Sequence, residues 1–201
     1  MPDRPDLQRL DQDLLDVLLR VCALLRDAGG RAWLVGGSVR DAAVELGVRD
    51  LDVEVFGLEP GAVRTALAAE FPLDLVGESF GILKLKGVPL DVGLPRRETK
   101  LGTGHRGFAV EHDPSITLRE AAARRAFTLN AIYLDPLTGE VEDPFDGVGD
   151  LQRGVLRHTS PAFTEDPLRV LRGMQLAARF DLATAPETVA LCRTVGLEGL
   201  A

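Results

Sequence analysis

Between Leu10 and Leu25 the apolar residues recur every three or four positions, at Leu10, Leu14, Leu15, Val17, Leu18, Val21, Leu24 and Leu25. This spacing lines one side of an α-helix, and predicts a helix within residues 6–28 that Gly29-Gly30 closes. The period then changes. Ala32 to Val35 is a short continuous apolar run that includes Trp33, a core strand residue, and a short helix opens at Ser38. After Gly47 a second strand begins at Asp50, with Leu51, Val53 and Val55 facing a core. Pro60 to Phe71 reads as a helix. Three short strands follow at Leu73–Val76, Phe80–Lys86 and Val88–Leu94, with Gly77 and Gly87 at the turns. Residues 95–115 show little periodicity and read as a loop. A helix from about Thr117 ends at Arg124-Arg125, and a strand–turn–strand runs from Ala131 through Gly139 to Val141. Helices reaching Phe180 and spanning Glu187 to Val195 complete the pattern. The class expected is α+β, a small mixed sheet of about five strands with helices on one face. Residues 1–150 form this unit, and 151–201 begin a helical one.

Composition narrows the class. The 201 residues suffice for one domain with a helical extension, and 45% hydrophobic with 27% charged residues is ordinary for a globular protein. No run is long enough to span a membrane, and the N-terminus lacks the basic and apolar regions of a signal peptide. Cys22 and Cys192 stand far apart without a CxxC or a histidine cluster, so a cytoplasmic protein without disulfides or zinc is expected. The net charge of −8 argues against a broad nucleic-acid surface. Any RNA contact has to use a local basic patch or a further part of a longer protein.

Asp50 and Asp52, two apart on a strand, are expected to project together. Two adjacent carboxylates repel and lose hydration, so a cation belongs between them, and magnesium suits oxygen ligands. Gly36 and Gly37 would let a phosphate approach the backbone at a helix start with unpaired N–H groups. Ser38 and Asp41 also fit a capping box with no ligand. A phosphate cradle beside a carboxylate pair suggests nucleotide chemistry.

The order and spacing of these features resemble the signature G-G-x-V-R-D…D-x-D of the class II tRNA nucleotidyltransferase and bacterial poly(A) polymerase family. The resemblance covers roughly residues 31–182. It implies a DNA polymerase β-like nucleotidyltransferase head followed by a helical neck, with residues 151–201 as its start and the body and tail missing. Asp91, within Leu90-Asp91-Val92, is an edge-strand acid facing water or, by the resemblance, the third active-site carboxylate. The 95–115 loop, with Arg96, Arg97, Lys100, His105 and Arg106, is a solvated surface loop or a flap over nucleotide and RNA end.

Further along, Arg124-Arg125-Ala126-Phe127-Thr128-Leu129-Asn130 resembles R-R-D-F-T-x-N-A, which gives Arg125 a role on nucleotide phosphate or ribose. The family aspartate is Ala126 here, and alanine can neither accept a hydrogen bond nor pair with an arginine. Asp143-Pro144-Phe145-Asp146-Gly147 with Asp150 reads as structural. Glu165-Asp166-Pro167-Leu168-Arg169 is either an N-cap followed by solvated arginines or the family's base-reading E-D-x-x-R. In the latter, Asp166 and Arg169 accept and donate at the edges of cytosine or adenine. By position, the implied nucleotide site is Gly36, Gly37, Ser38, Arg40, Arg125, Asn130, Asp166, Arg169 and Arg172. A later basic position of the same helix is Gln175. The implied reaction moves CMP or AMP from CTP or ATP to the 3′-hydroxyl of tRNA or another RNA. Asp50 and Asp52 would bind two Mg²⁺ about 3.5–4 Å apart, with Asp91 completing the first ion's shell. Poly(A), CC-only and A-only synthesis, transfer to a small molecule or protein, and an inactive nucleotide-binding or RNA-binding module are the alternatives. No residue sets the oligomeric state.

Overall fold

The computed structural model describes residues 7, 10–44, 47, 50–74, 81–100 and 108–196, and the side chains of all of these except 97–100 and 108–111. The expected strand residues Leu75 and Val76, and the loop residues His105 and Arg106, lie outside them. In chain order the elements are α1 (Gln12–Asp27), β1 (Arg31–Val35), α2 (Gly37–Ala43), β2 (Leu51–Phe56), α3 (Pro60–Ala68), β3 (Leu73–Asp74), β4 (Ile82–Leu85), β5 (Leu90–Gly93), β6 (Arg96–Lys100) and β7 (Phe108–His112). They continue with α4 (Leu118–Ala123), β8 (Tyr133–Leu134), β9 (Val141–Glu142), α5 (Gly147–Gln152), β10 (Val155–Leu156), α6 (Leu168–Phe180), β11 (Ala183–Thr184) and α7 (Pro186–Cys192).

The first helix starts and stops where its local chemistry directs. The Asp11 carboxylate accepts from the N–H groups of Asp13 and Leu14 at 3.1 and 3.3 Å. At the other end Gly29 adopts φ +95°, and the N–H groups of Gly30 and Gly29 reach back to the carbonyls of Leu25 and Arg26. Leu18, Val21, Cys22 and Leu25 of α1 pack with Val63 and Leu67 of α3 onto Leu34, Val53, Val55, Leu90 and Val92 of the sheet. Each such side chain contributes on the order of 1.5–3 kcal/mol on burial. Burial also pushes the Cys22 thiol up to about 12.

The sheet has seven strands among the described residues, in the order β3-β4-β5-β2-β1-β8-β9, rather than the five expected. The two short strands β8 and β9 join it beyond β1. The β2–β5 pairing is parallel and the other pairings in this sheet are antiparallel. Helices are not confined to one face. Trp33, Val35 and Tyr133 face away from α1 and form a second cluster with Ala122 of α4. The expected loop at 95–115 is in part a hairpin of β6 and β7. Its cross-strand pairing does not follow from hydrophobic period because its residues are mostly polar.

A third cluster, Phe127, Leu129, Leu156 and Phe163, attaches the C-terminal segment, with Val170 and Leu176 of α6 packed on it. Asp143 receives the N–H groups of Gly147 and Val148 at the start of α5, at 2.7 and 2.8 Å. The buried Asp150 accepts from Thr128 and Arg157. The acids of that stretch therefore hold structure, as read from sequence. Among the described residues no helix is long and apolar enough to cross a membrane.

Among the described residues the tightest approach of a glycine to backbone is at Gly147, where a Cβ would stand 2.1 Å from the Thr128 carbonyl oxygen. A backbone atom cannot swing aside as a side chain can, so Gly147→Ala should cost at least about 1–3 kcal/mol. Urea unfolding of the two proteins measures this. A loss under about 0.5 kcal/mol, the scale of a neutral surface change, would show that the α5 junction yields easily.

Candidate functional site

The parallel ladder between β2 and β5 sets Asp52 directly opposite Asp91. Both alternate with core residues, Leu51 and Val53 on one strand, Leu90 and Val92 on the other, so the two carboxylates share the face opposite α1. Asp50 lies one residue before β2 and is exposed. Asp91 thus faces Asp52 across two strands, and Asp50, one residue before β2, lines a cavity with both and adds its charge to the Asp52 carboxyl. Asp52 keeps a solvent-exposed edge, yet the protein packed around its carboxyl pushes its pKa up. Asp91 and Asp50 push the same way, and Arg125 and Lys84 oppose them. Lys84, across from Asp91 on β4, forms an ion pair with it. Asp91 is therefore no edge-strand acid, since β5 has neighbours on both sides.

This donor set fits a divalent metal ion. The like charges already draw a lysine ammonium to them. Magnesium is bound through one or two carboxylates together with substrate phosphates, so a complete protein cage is not required. Among the described residues, no three acidic, histidine or cysteine side chains are gathered into such a cage.

Gly36 adopts φ +74°, and a Cβ there would stand 3.2 Å from Arg125 Nη1 and 3.6 Å from Asp52 Oδ2. A side chain would fill the place where guanidinium and carboxylate approach each other. The capping box expected at Ser38 and Asp41 does not form. Gly36 is the N-cap of α2, the Ser38 hydroxyl donates to the Val35 carbonyl at 2.7 Å, and Asp41 receives Arg40 and Arg179 at 2.6 and 3.1 Å. Arg40 is buried against Asp41 and donates to Asn130 at 2.6 Å, with its guanidinium over the Phe180 ring at 4.7 Å. It ties α2 to α6 and does not reach the cavity described next, whereas Asn130 lines that cavity.

A cavity of about 1050 Å³ lies between the carboxylates and α6. Asp52, Glu54 and Asp91 line it together with Arg125, Asp166, Arg169 and Arg172. Arg125 is oriented by two residues that the motif does not contain. Its Nη2 donates to Glu54 Oε2 at 3.0 Å and its Nε to the Tyr133 hydroxyl at 3.4 Å. The Tyr133 hydroxyl donates to the same Glu54 oxygen at 3.0 Å. Burial alone would lower the Arg125 pKa, but Glu54 and the Tyr133 oxygen outweigh it and hold the guanidinium charged. Ala126 lines the cavity beside Arg125 without a carboxylate, and Glu54 is the acid that Arg125 finds. The alternation Asp52–Glu54 along β2 was the available signal for that partner. The N-cap of α6 is Pro167 and not Asp166 as expected; Asp166, one residue earlier, accepts the Leu168 N–H at 3.0 Å in the turn that leads into the helix. Arg169 turns inward, donating to the carbonyls of Ala162 and Arg124 at 2.8 and 3.0 Å.

A mixed sheet with acids on adjacent central strands, a glycine turn beside them and an arginine-lined cavity above defines a polymerase β-like nucleotidyltransferase fold. Over residues 32–157 the chain matches the family described as Poly A polymerase head domain, and it belongs to that family. It is 41% identical over 179 residues to the multifunctional CCA protein of Stenotrophomonas maltophilia (strain R551-3), covering 84% of this chain and 41% of that protein. A crystal structure of the Bacillus stearothermophilus CCA-adding enzyme in complex with CTP superposes with a TM-score of 0.71 at 28% identity. The match covers 90% of this chain and 43% of that one. A CCA-adding enzyme in complex with ATP superposes at 0.75 and 26% identity, covering 92% and 42%. The chain thus spans about two-fifths of the length of the curated relatives it matches.

The raised pKa of Asp52 has a consequence for stability. The folded state binds this proton more tightly than the unfolded chain, so the charged carboxylate disfavours folding at pH values above the folded pKa. The penalty is relieved as pH falls through that value. Asp52→Asn should therefore melt no lower than the parent at pH 7, and its advantage should shrink as pH drops toward about 3.9. Melting curves from pH 7 to pH 4 test this, and an Asn variant less stable at pH 7 would contradict it.

Proposed function

We propose that this chain is the head and the beginning of the neck of a tRNA nucleotidyltransferase, with the head at residues 1–150 and the neck starting at 151. It adds C and A from CTP and ATP to the 3′-hydroxyl of tRNA. The observation that carries this reading is the register of Asp52 against Asp91 at the floor of an arginine-walled cavity. The relatives' names, and the CTP and ATP in the two solved complexes, point to the same chemistry. The free thiols of Cys22 and Cys192 suit a cytoplasmic enzyme.

In this reaction the acceptor 3′-oxygen forms a bond to the α-phosphorus while the bond from that phosphorus to the bridging oxygen breaks. Pyrophosphate leaves with the electron pair, and the hydroxyl proton passes to water. Asp52 and Asp91, with Asp50 alongside, would hold magnesium, which would lower the hydroxyl pKa and neutralise charge at the phosphates. Arg125, held by Glu54 and Tyr133, aims its guanidinium at the phosphates, and Gly36 leaves them room. Asn130 sits on the same wall. Asp166 accepts from the exocyclic amino group of cytosine or adenine, Arg169 donates to their ring acceptors, and Arg172 adds charge at the rim. Arg40 and Ser38 act from behind this wall by holding α2, and Gly37 is the first residue of that helix. Catalysis is positioning and charge stabilisation, with no covalent enzyme intermediate.

The direct test incubates the protein with tRNA lacking its CCA end, each labelled nucleoside triphosphate and Mg²⁺, followed by sequencing of the product. CTP and ATP should be incorporated in the order C, C, A, and oligo(A) alone would reassign the product. Asp52→Asn and Asp91→Asn should each slow transfer at least about a thousandfold. Turnover within tenfold of the parent in both would remove the two carboxylates from the chemistry.

Base reading and helix capping separate at Asp166. Serine keeps the cap but not the charged acceptor, so Asp166→Ser should retain its melting temperature while discrimination against UTP falls roughly ten- to a hundredfold. Unchanged nucleotide preference would return Asp166 to capping alone.

A further inference from the structure

The face of the sheet that carries Asp52 and Asp91 continues one row further along the same strands. There Glu54 stands opposite Gly93 in the register of β2 and β5, with Trp33 of β1 and Ile82 of β4 at the two ends of the row. The Glu54 side chain is only 13% exposed, and both of its hydrogen bonds, from Arg125 and Tyr133, fall on Oε2. Oε1 accepts none from the described residues, although Glu54 lines the cavity. Beside it Gly93 leaves the sheet bare. Among the described residues a Cβ there would meet only the Val53 carbonyl oxygen, at an ordinary 3.7 Å.

Resting on the functional reading above, we propose that Glu54 is the residue by which this chain selects ribonucleotides. The ribose of the incoming nucleotide lies over Gly93, and Glu54 Oε1 accepts from its 2′,3′-diol. Placement follows from two fixed ends. A nucleoside triphosphate runs phosphate, sugar, base. Its phosphates belong at the Asp52–Asp91 row. At the other end Arg169 donates to the Arg124 carbonyl at 3.0 Å, and Arg124 donates to the Arg96 carbonyl. The base-reading arginine is therefore tied to the chain just past Gly93. Glu54 and Gly93 stand between these ends, two strand residues or about 6.6 Å beyond the metal carboxylates.

The chemistry agrees with that position. A sugar hydroxyl donates, and an ionised carboxylate only accepts. The other acids that line the cavity, Asp52, Asp91 and Asp166, are taken by metal and base, and Ala126 offers no acceptor. A deoxy sugar leaves a nearly buried carboxylate oxygen without its donor, the situation in which a site rejects an analogue strongly.

The experiment titrates the full chain, in Mg²⁺ and without RNA, with CTP, 2′-deoxy-CTP and 3′-deoxy-CTP. The parent should bind CTP more tightly than at least one deoxy analogue, which identifies the hydroxyl read. In Glu54→Gln the amide oxygen still serves Arg125 and Tyr133, and the amide nitrogen then faces the cavity. Its preference for CTP over that analogue should fall about tenfold, the equivalent of 1.4 kcal/mol. ATP and its deoxy analogue should show the same fall, because the sugar is common to both. Tyr133→Phe removes the other support of Arg125 but not Oε1, so it should weaken all the analogues equally. Gly93→Ala should keep the parental melting temperature while weakening CTP and both analogues about tenfold, since its methyl group occupies the place of the ring.

A Glu54→Gln protein that keeps the parental sugar preference, or loses affinity for all three nucleotides equally, overturns the proposal. Should Glu54→Gln melt early, Gly93→Ala decides, and CTP affinity within twofold of the parent there overturns it. A parent that binds no nucleoside triphosphate overturns the functional reading itself. One that binds CTP and both deoxy analogues equally overturns the sugar site alone.

Discussion

Two carboxylates on neighbouring parallel strands form an arrangement that a stable sheet tolerates only with positive charge close by. Asp52 and Asp91 face each other across β2 and β5, and Asp50 adds to the repulsion. The protein answers from two directions. Lys84 approaches from β4 and Arg125 from the segment after α4, one toward Asp91 and one toward Asp52. Glu54 and Tyr133 then fix Arg125 from behind. The central pairing of the sheet therefore dictates the polar chemistry of the face above it.

The second constraint is the seating of α6 over that face. Phe127 and Phe163 pack edge to face with ring centroids 5.5 Å apart, beneath Val170 and Leu176. A Cβ at Gly173 would meet the Phe127 ring at 2.8 Å, so the helix can lie that close only with glycine there. Arg40 under Phe180 and Arg179 on Asp41 hold the far end. These contacts bring Arg169 and Arg172 to the cavity wall, so a chain of net charge −8 still presents concentrated positive charge there. The local field in a cleft is set by the side chains that line it, not by the overall charge.

Much of this was legible along the chain. The 3.6-residue period defined α1, the alternation of β2 and β4 separated core from active face, and glycines and Asp11 marked ends. The motif residues Asp52, Asp91, Arg125, Asn130, Asp166, Arg169 and Arg172 were named from local pattern and resemblance, and the fold brings them to one cavity. Those signals are local because they depend on backbone period, capping and the chemistry of neighbours within a few residues.

What the tertiary structure alone decided is which residues meet. Sequence placed Asp50 beside Asp52, and the register of β5 adds Asp91 directly opposite Asp52. Arg40 carried a nucleotide role by position, and the fold buries it among Asp41, Asn130 and Phe180. Glu54, Tyr133 and Lys84 belonged to no motif, and their parts follow from strand order and register. The short strands β8 and β9 joined the sheet without a long apolar run to announce them. Pairing across strands depends on contacts between residues tens of positions apart, and no local period encodes which distant charge a given carboxylate will face.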